Sequence, residues 1–194
     1  MATAIADAAA TMAAASDDER AGAEIAYGCE ECLKHIFAIL EEMGFPKGIL
    51  PLKDLVECGR VRATGFVWMK QKKPSEHYFE RAKTLVSYGE EVTAYVEVGK
   101  MRKMTGVKSK PVFFWFPLTV AEMSIVDDPN GKEIYFKSSL GVGKECSITA
   151  FMTEEERIKF KEIKDGKNDD VDNDRDGDNV DDKVKTTEEK SLDD

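Results

Sequence analysis

The chain has 194 residues, 42% hydrophobic and 34% charged, the proportions of one globular domain carrying a charged appendage. Its net charge of −10 is concentrated at the C-terminal end, where 164–194 holds 13 acidic and 6 basic residues, leaving 25 acidic and 22 basic in 1–163. That balance argues against nucleic-acid binding, because phosphate contacts need a basic surplus and an acidic tail repels a polyanion.

Residues 1–15 are Ala-rich, contain Asp7 and hold no Lys or Arg, so they match neither a secretory signal nor a transit peptide and read as disordered. No run reaches the roughly 18 apolar residues of a membrane span, and the expected location is cytoplasmic. Ser16 and Glu19 have the spacing of a capping box. Ile25, Cys29, Cys32, Ile36, Leu40 and Met43 then recur at intervals of three and four, which predicts a helix over 17–43, about 40 Å long, closed by Gly44 and Pro46.

From Leu55 the period becomes two. Strands are expected over 55–62 and 66–72, joined by a three-residue loop with Gly65 in a left-handed position, and over 92–98 and 101–105 around a Gly99-Lys100 turn. Residues 112–118 are apolar on both faces and read as a strand covered on both sides. Asp127-Asp-Pro-Asn-Gly131 is a turn between this strand and two more at 133–137 and 145–151, and Thr153 with Glu156 caps a short closing helix. After Lys164 aliphatic residues nearly vanish, which predicts a disordered acidic tail. The fold class is therefore mainly β: a curled antiparallel sheet or partial barrel over 16–163, with one long N-terminal helix packed on it and disordered ends at 1–15 and 164–194.

Candidate chemistry is sparse. Cys29-Glu-Glu-Cys32 falls mid-helix in this reading, with both sulfurs on the apolar stripe, so two inert core thiols are expected rather than a redox pair. Zinc would need further ligands, and Cys58, Cys146, His35 and His77 lie at no finger-like spacing. His35 is expected to pair with Glu31 one turn earlier on the helix surface. No G-x-S-x-G elbow is present; Ser87 with His77 is the best remaining nucleophile and base, against a structural reading of Ser87 as a turn residue. Asp172, Asp174, Asp176 and Gly177 open like a calcium loop, but Asn179 and Lys183 occupy positions that need an apolar anchor and a glutamate, so only weak cation association of the tail is expected. The basic stretches 70–73 and 100–110 read as solvated strand faces, with contact to an anionic lipid surface as a secondary reading. No metal or cofactor is called for.

Gly44-Phe-Pro-Lys-Gly-Ile-Leu-Pro-Leu52, Thr64-Gly-Phe-Val-Trp-Met-Lys-Gln-Lys72, Leu85-Val-Ser-Tyr-Gly89 and Met104-Thr-Gly-Val-Lys108 resemble the plant domain-of-unknown-function family 538, over about 25–151. The resemblance implies a compact β-rich fold with an N-terminal helix. It further implies stress-related expression, likeness to bactericidal/permeability-increasing lipid-binding proteins, and binding or ester hydrolysis of chlorophyll, with no established catalytic residues. Two departures from the family pattern are Arg60, where related chains often have tyrosine, and Cys146-Ser-Ile-Thr-Ala-Phe151, which lacks an expected proline. The function expected is non-enzymatic binding of an amphipathic small molecule, a lipid or tetrapyrrole, by Phe66, Trp68, Tyr95, Phe113 and Trp115. The alternatives are a weak serine-type esterase acting through Ser87 and His77, and an interaction scaffold using the acidic tail.

Overall fold

The computed structural model describes residues 18–111, 115–129 and 131–172, with the backbone alone for 164–172. The chain divides into two units, Met1–Arg157 and Ile158–Asp194. The first carries every strand: β1 (Glu24–Tyr27), β2 (Leu55–Val61), β3 (Phe66–Gln71), β4 (Ser75–Phe79), β5 (Thr84–Glu97), β6 (Lys100–Pro111), β7 (Leu118–Asp128), β8 (Gly131–Ser138) and β9 (Gly143–Ser147). They form one antiparallel sheet in the order β1-β2-β3-β5-β6-β7-β8-β9, with β4 also paired to β5. Consecutive strands pair with each other from β2 to β3 and from β4 through β9, whereas β3 and β4 follow one another along the same edge of β5, and the fold is mainly β as the period-two patterning requires.

The helix differs in extent from the sequence reading. It is α1, Cys29–Met43, about 22 Å long in place of the expected 40 Å or so. The residues before it form a turn at 20–22 and then β1, whose Ile25 and Tyr27 are exposed. Gly28 explains the break: its φ of 81° ends β1 and cannot be held inside a helix. The C-terminal end agrees with expectation, as Gly44 is left-handed with its N–H donating to the carbonyls of Leu40 and Glu41. Within α1, Cys32, Ile36, Ile39, Leu40 and Met43 are buried against the concave face of the sheet, where Val67, Met69, Val92, Ala94, Met101, Met123 and Ile134 meet them. Glu31 pairs with Lys34 at 3.0 Å rather than with His35.

The hairpin loop after β2 forms as expected: the Gly65 N–H donates to the Val61 carbonyl at 2.9 Å, and Gly65 has φ +74°. Arg60 lies buried, its guanidinium forked onto the Glu42 carboxylate of α1, with one contact at 3.0 Å. β5 is the longest strand, and its two halves have different partners. Glu91 to Tyr95 pair with β3, while Thr84 to Tyr88 pair with β4. Buried Gln71 fills the gap between them. Its amide donates to the carbonyls of Tyr88 and Gly89 at 3.3 and 2.7 Å, and its oxygen accepts from the Lys53 N–H and the Ser75 hydroxyl at 3.1 and 3.0 Å. The Tyr88 and Gly89 carbonyls, at the change of partner, thereby gain hydrogen bonds in place of ladder bonds. At the same level β5 bulges, its residues 89–92 standing opposite Gly106 alone of β6; Gly106 has φ +75°, and an added Cβ there would lie 2.0 Å from the Glu91 carbonyl oxygen.

Of the strand expected over 112–118, residues 112–114 lie outside the described residues, Trp115 and Phe116 form a bend, and β7 begins only at Leu118. At the other end, Thr153 and Glu156 form the expected capping box: the Thr153 N–H donates to Glu156 at 2.8 Å and the Glu156 N–H to the Thr153 hydroxyl at 3.3 Å. The second Glu156 oxygen accepts from the Lys47 N–H at 2.9 Å, which ties the 3-10 turn Lys47–Ile49 to the capping box that follows the 3-10 turn Ile148–Phe151. The capped helix, α2 (Glu154–Asp172), continues past 163, where coil was expected, because extending a nucleated helix is far easier than starting one. In the second unit the described part is the helical stretch 158–172; the expected disorder of 1–15, the rest of the tail and the calcium-like loop after Asp172 lie outside the described residues. Among the described residues no helix is long and apolar enough to cross a membrane.

Candidate ligand cavity

The bend in β5 divides the concave face. Over the half paired with β3, α1 packs closely and leaves a space of only about 20 Å³. The half paired with β4 has no helix on it. There the 3-10 turns close one end, and a cavity of about 270 Å³ remains between β5, β6, β7, β8 and β9. Its deep wall is aromatic: Phe79 and Phe136 stand 5.0 and 5.2 Å from Phe151, and Tyr88 donates its hydroxyl to the Ile49 carbonyl at 3.4 Å. Burial pushes the Tyr88 phenol well above its usual range, so it stays neutral.

Alternation and register set a polarity gradient along the cavity. Successive inward side chains run Tyr88, Val86, Thr84 on β5; Val107, Ser109 on β6; Phe136, Ser138 on β8; and Cys146, Lys144 on β9. Because the strands are antiparallel, these four apolar-to-polar sequences all point to the same end of the sheet. The cross-strand pairs Phe136↔Lys144 and Ile134↔Cys146 place Lys144 and Cys146 on the inner face. No Asp or Glu lines the cavity. The Lys144 ammonium donates to the Ala82 carbonyl at 3.1 Å and the Thr84 hydroxyl at 3.4 Å, which uses two of its three N–H groups. Cys146 is a free thiol that burial holds above the usual range.

The aromatic residues expected to bind a ligand stand elsewhere. Phe66, Trp68 and Tyr95 share the opposite face of the sheet, where Phe66 lies 5.9 Å from Trp68 and 5.3 Å from Tyr95. The chain before β1 covers them. The Arg20 guanidinium sits 4.7 Å above the Trp68 ring and pairs with Glu91, Tyr95 donates to Glu19 at 2.8 Å, and the Trp68 indole N–H donates to Glu57 at 2.7 Å. Trp115 is 96% exposed, and Phe113 lies outside the described residues. None of the four described residues lines the cavity. The signal for the lining of this cavity was the period-two pattern in 84–88, 107–111 and 144–146, whose small and aliphatic residues do not stand out as aromatics do.

Ser87 and His77 are not brought together. The register pairs Ser87 with Glu76 and His77 with Val86, so the two side chains point to opposite faces. The Ser87 hydroxyl donates to Glu76 at 2.8 Å, and His77 stacks edge-on to Phe79 at 4.6 Å, with burial and then Lys53 holding its imidazolium below the usual range. The Cys29-Glu-Glu-Cys32 motif sits at the start of α1 instead of mid-helix, because the helix begins later than its apolar stripe. Cys29 is consequently exposed, while Cys32 is fully buried and donates its S–H to the Ala26 carbonyl at 3.3 Å. Cys58 donates to the Cys32 carbonyl at 3.8 Å, and burial, followed by Cys32, pushes its thiol up to about 12. Among the described residues no three His, Cys, Asp or Glu side chains converge on a metal position.

No curated protein and no solved structure matches the chain. A family of proteins of unknown function, DUF538, matches residues 36–152, which span α1 from its second turn through every strand after it. By that match over more than half its length, the chain belongs to the DUF538 family.

Proposed function

We propose that the first unit binds a single-chain amphiphile, with the chain in the cavity and the polar head at the rim beside Lys144. The observation that carries this reading is the passage from an aromatic floor to an end where Thr84, Ser109, Ser138 and the Lys144 ammonium stand among Pro111, Leu118 and Val142. Ligand sites of this kind are mostly apolar with a few placed polar groups. The volume of about 270 Å³ equals roughly nine water molecules at ~30 Å³ each, which suits an unbranched chain on the order of eight to ten carbons. A tetrapyrrole macrocycle is bulkier than this, so of the two ligand classes the family resemblance suggests, the lipid-like one fits better. Lys144, with an N–H to spare and no carboxylate beside it in the lining, favours an anionic head.

Cys146 supplies the test, because it lines the cavity while Cys29 lies at the start of α1. Alkylation of the native chain at mildly alkaline pH, mapped by mass, is expected to slow at Cys146 on adding a series of unbranched carboxylates, with a maximum at intermediate chain length. Cys29 should react at an unchanged rate. Cys146 reacting equally fast with every chain length present would refute the reading.

A further inference from the structure

At one end of the cavity the β4–β5 loop, where the Ala82 carbonyl accepts from Lys144, lies beside the β8–β9 turn and the start of β7. The Ser139 N–H donates to the Thr119 carbonyl at 2.9 Å, which holds the β8–β9 turn against the start of β7, four residues from Trp115. Large apolar side chains project into solvent here: Trp115 at 96% exposure, Leu140 at 72% and Val142 at 43%. The charge at this end opposes that of the whole chain. The described residues 80–84, 108–111, 115–119 and 137–144 include Arg81, Lys83, Lys108, Lys110, Lys137 and Lys144 against Glu80 alone, in a chain of net charge −10.

We propose that this end docks on an anionic lipid surface, with Trp115, Leu140 and Val142 entering the interface and the surrounding lysines and arginine meeting the head groups. The occupant is identified by two features together. A soluble protein gains nothing by exposing a tryptophan and a leucine to water, whereas the amphipathic indole suits a bilayer interface. The cationic ring matches an anionic leaflet, to which each basic residue near the surface adds attraction. The placement also puts the cavity opening against the lipid, so that a chain can pass between bilayer and cavity without crossing water. The docking itself does not depend on an occupied cavity.

The chain reports on its own docking, since Trp68 is buried and covered while Trp115 is exposed. Vesicles of phosphatidylcholine mixed with phosphatidylglycerol are expected to co-sediment with the full chain and shift its tryptophan emission to the blue; phosphatidylcholine alone should do so weakly, and added salt should release the protein. Trp115→Ser with Leu140→Ser, and separately Lys83→Glu with Lys110→Glu, should each weaken partitioning about tenfold while leaving the melting temperature unchanged. Equal binding by these variants, absence of binding to anionic vesicles, or self-association through Trp115 in place of vesicle binding would each overturn the proposal. Cys146 protection by soluble carboxylates, measured on the same variants, would persist in all three cases if the cavity reading holds.

Discussion

Val120→Phe tests whether the space beside β5 is real. Val120 is buried on β7 and lines the cavity of about 270 Å³. At roughly 24 cal/mol per Å³, an empty apolar cavity of that size costs up to about 6 kcal/mol relative to a filled interior. Phenylalanine adds four carbons, worth about 3 kcal/mol at ~0.8 kcal/mol per buried carbon if all enter the space. Lost rotamer freedom and imperfect fit reduce this, so a net gain of about 1 kcal/mol is expected. Val92→Phe is the matched control, because fully buried Val92 faces the space of only about 20 Å³ under α1. The same four carbons there should overpack the core and cost about 1–3 kcal/mol. Urea unfolding followed by circular dichroism reads both, with a shifted midpoint at constant slope reporting stability. The filled variant should also lose the protection of Cys146 by carboxylates. Destabilisation of Val120→Phe to the same degree as Val92→Phe would show that the interior is already full and refute the reasoning.

Three other outcomes follow from the fold. Gln71→Leu orphans the Lys53 N–H and the Tyr88 and Gly89 carbonyls, and is expected to cost about 2–3 kcal/mol by the same denaturation assay, whereas Ser75→Ala removes one hydroxyl contact and should cost less than about 1 kcal/mol. Gly106→Ala drives a methyl into the Glu91 carbonyl at a positive φ and should destabilise by about 3 kcal/mol or fail to fold, clearly more than Gly22→Ala, whose Cβ meets nothing and which carries only the strain of its own φ of +73°, about 1 kcal/mol. Because the Cys58 thiol is raised in the folded chain, the folded state holds its proton more tightly; that stability is intact below about pH 9 and is lost as pH rises toward about 12. The drop in unfolding midpoint between neutral pH and about pH 11 should therefore be smaller in Cys58→Ala than in the parent chain, and an equal drop would show that Cys58 does not titrate with unfolding.

The strands were legible because period-two alternation is imposed by burial of one face, and each of the strands expected from 55–62 to 101–105 exists, although β5 and β6 extend beyond the expected ends. The helix was misjudged at its start for a local reason. Ile25 falls in helical register with Cys29 and Cys32 by coincidence, and the decisive residue was Gly28, whose positive φ ends β1. The placement of the aromatic residues was not legible for a different reason. Phe66, Trp68 and Tyr95 alternate like any one-face set, but which face the helix takes depends on a partner distant in sequence. The segment at 18–23 that covers them shows its role only through Arg20 on Trp68 and Glu19 on Tyr95. Nor does a sequence state that one half of a face is roofed by a helix and the other is not.

That division follows from the length mismatch between β5 and α1. A fourteen-residue strand spans about 46 Å, roughly twice the length of the fifteen-residue helix, so one helix cannot roof the whole face. The covered half packs to a space of about 20 Å³ and supplies the rigid part of the fold. The uncovered half would be left as an open apolar trough, and it is closed instead by the two 3-10 turns, the first of them fixed by the bond from its Lys47 N–H to Glu156. Those turns supply short walls rather than a filling side-chain layer, so closing the end does not fill the middle. Gln71 supports the arrangement by bonding the Tyr88 and Gly89 carbonyls where β5 passes from β4 to β3, and the register with β6 shifts at that level. The cavity is thus a consequence of how the sheet is roofed, which is why its lining residues are unremarkable singly and why the polar ends of four strands coincide at its rim.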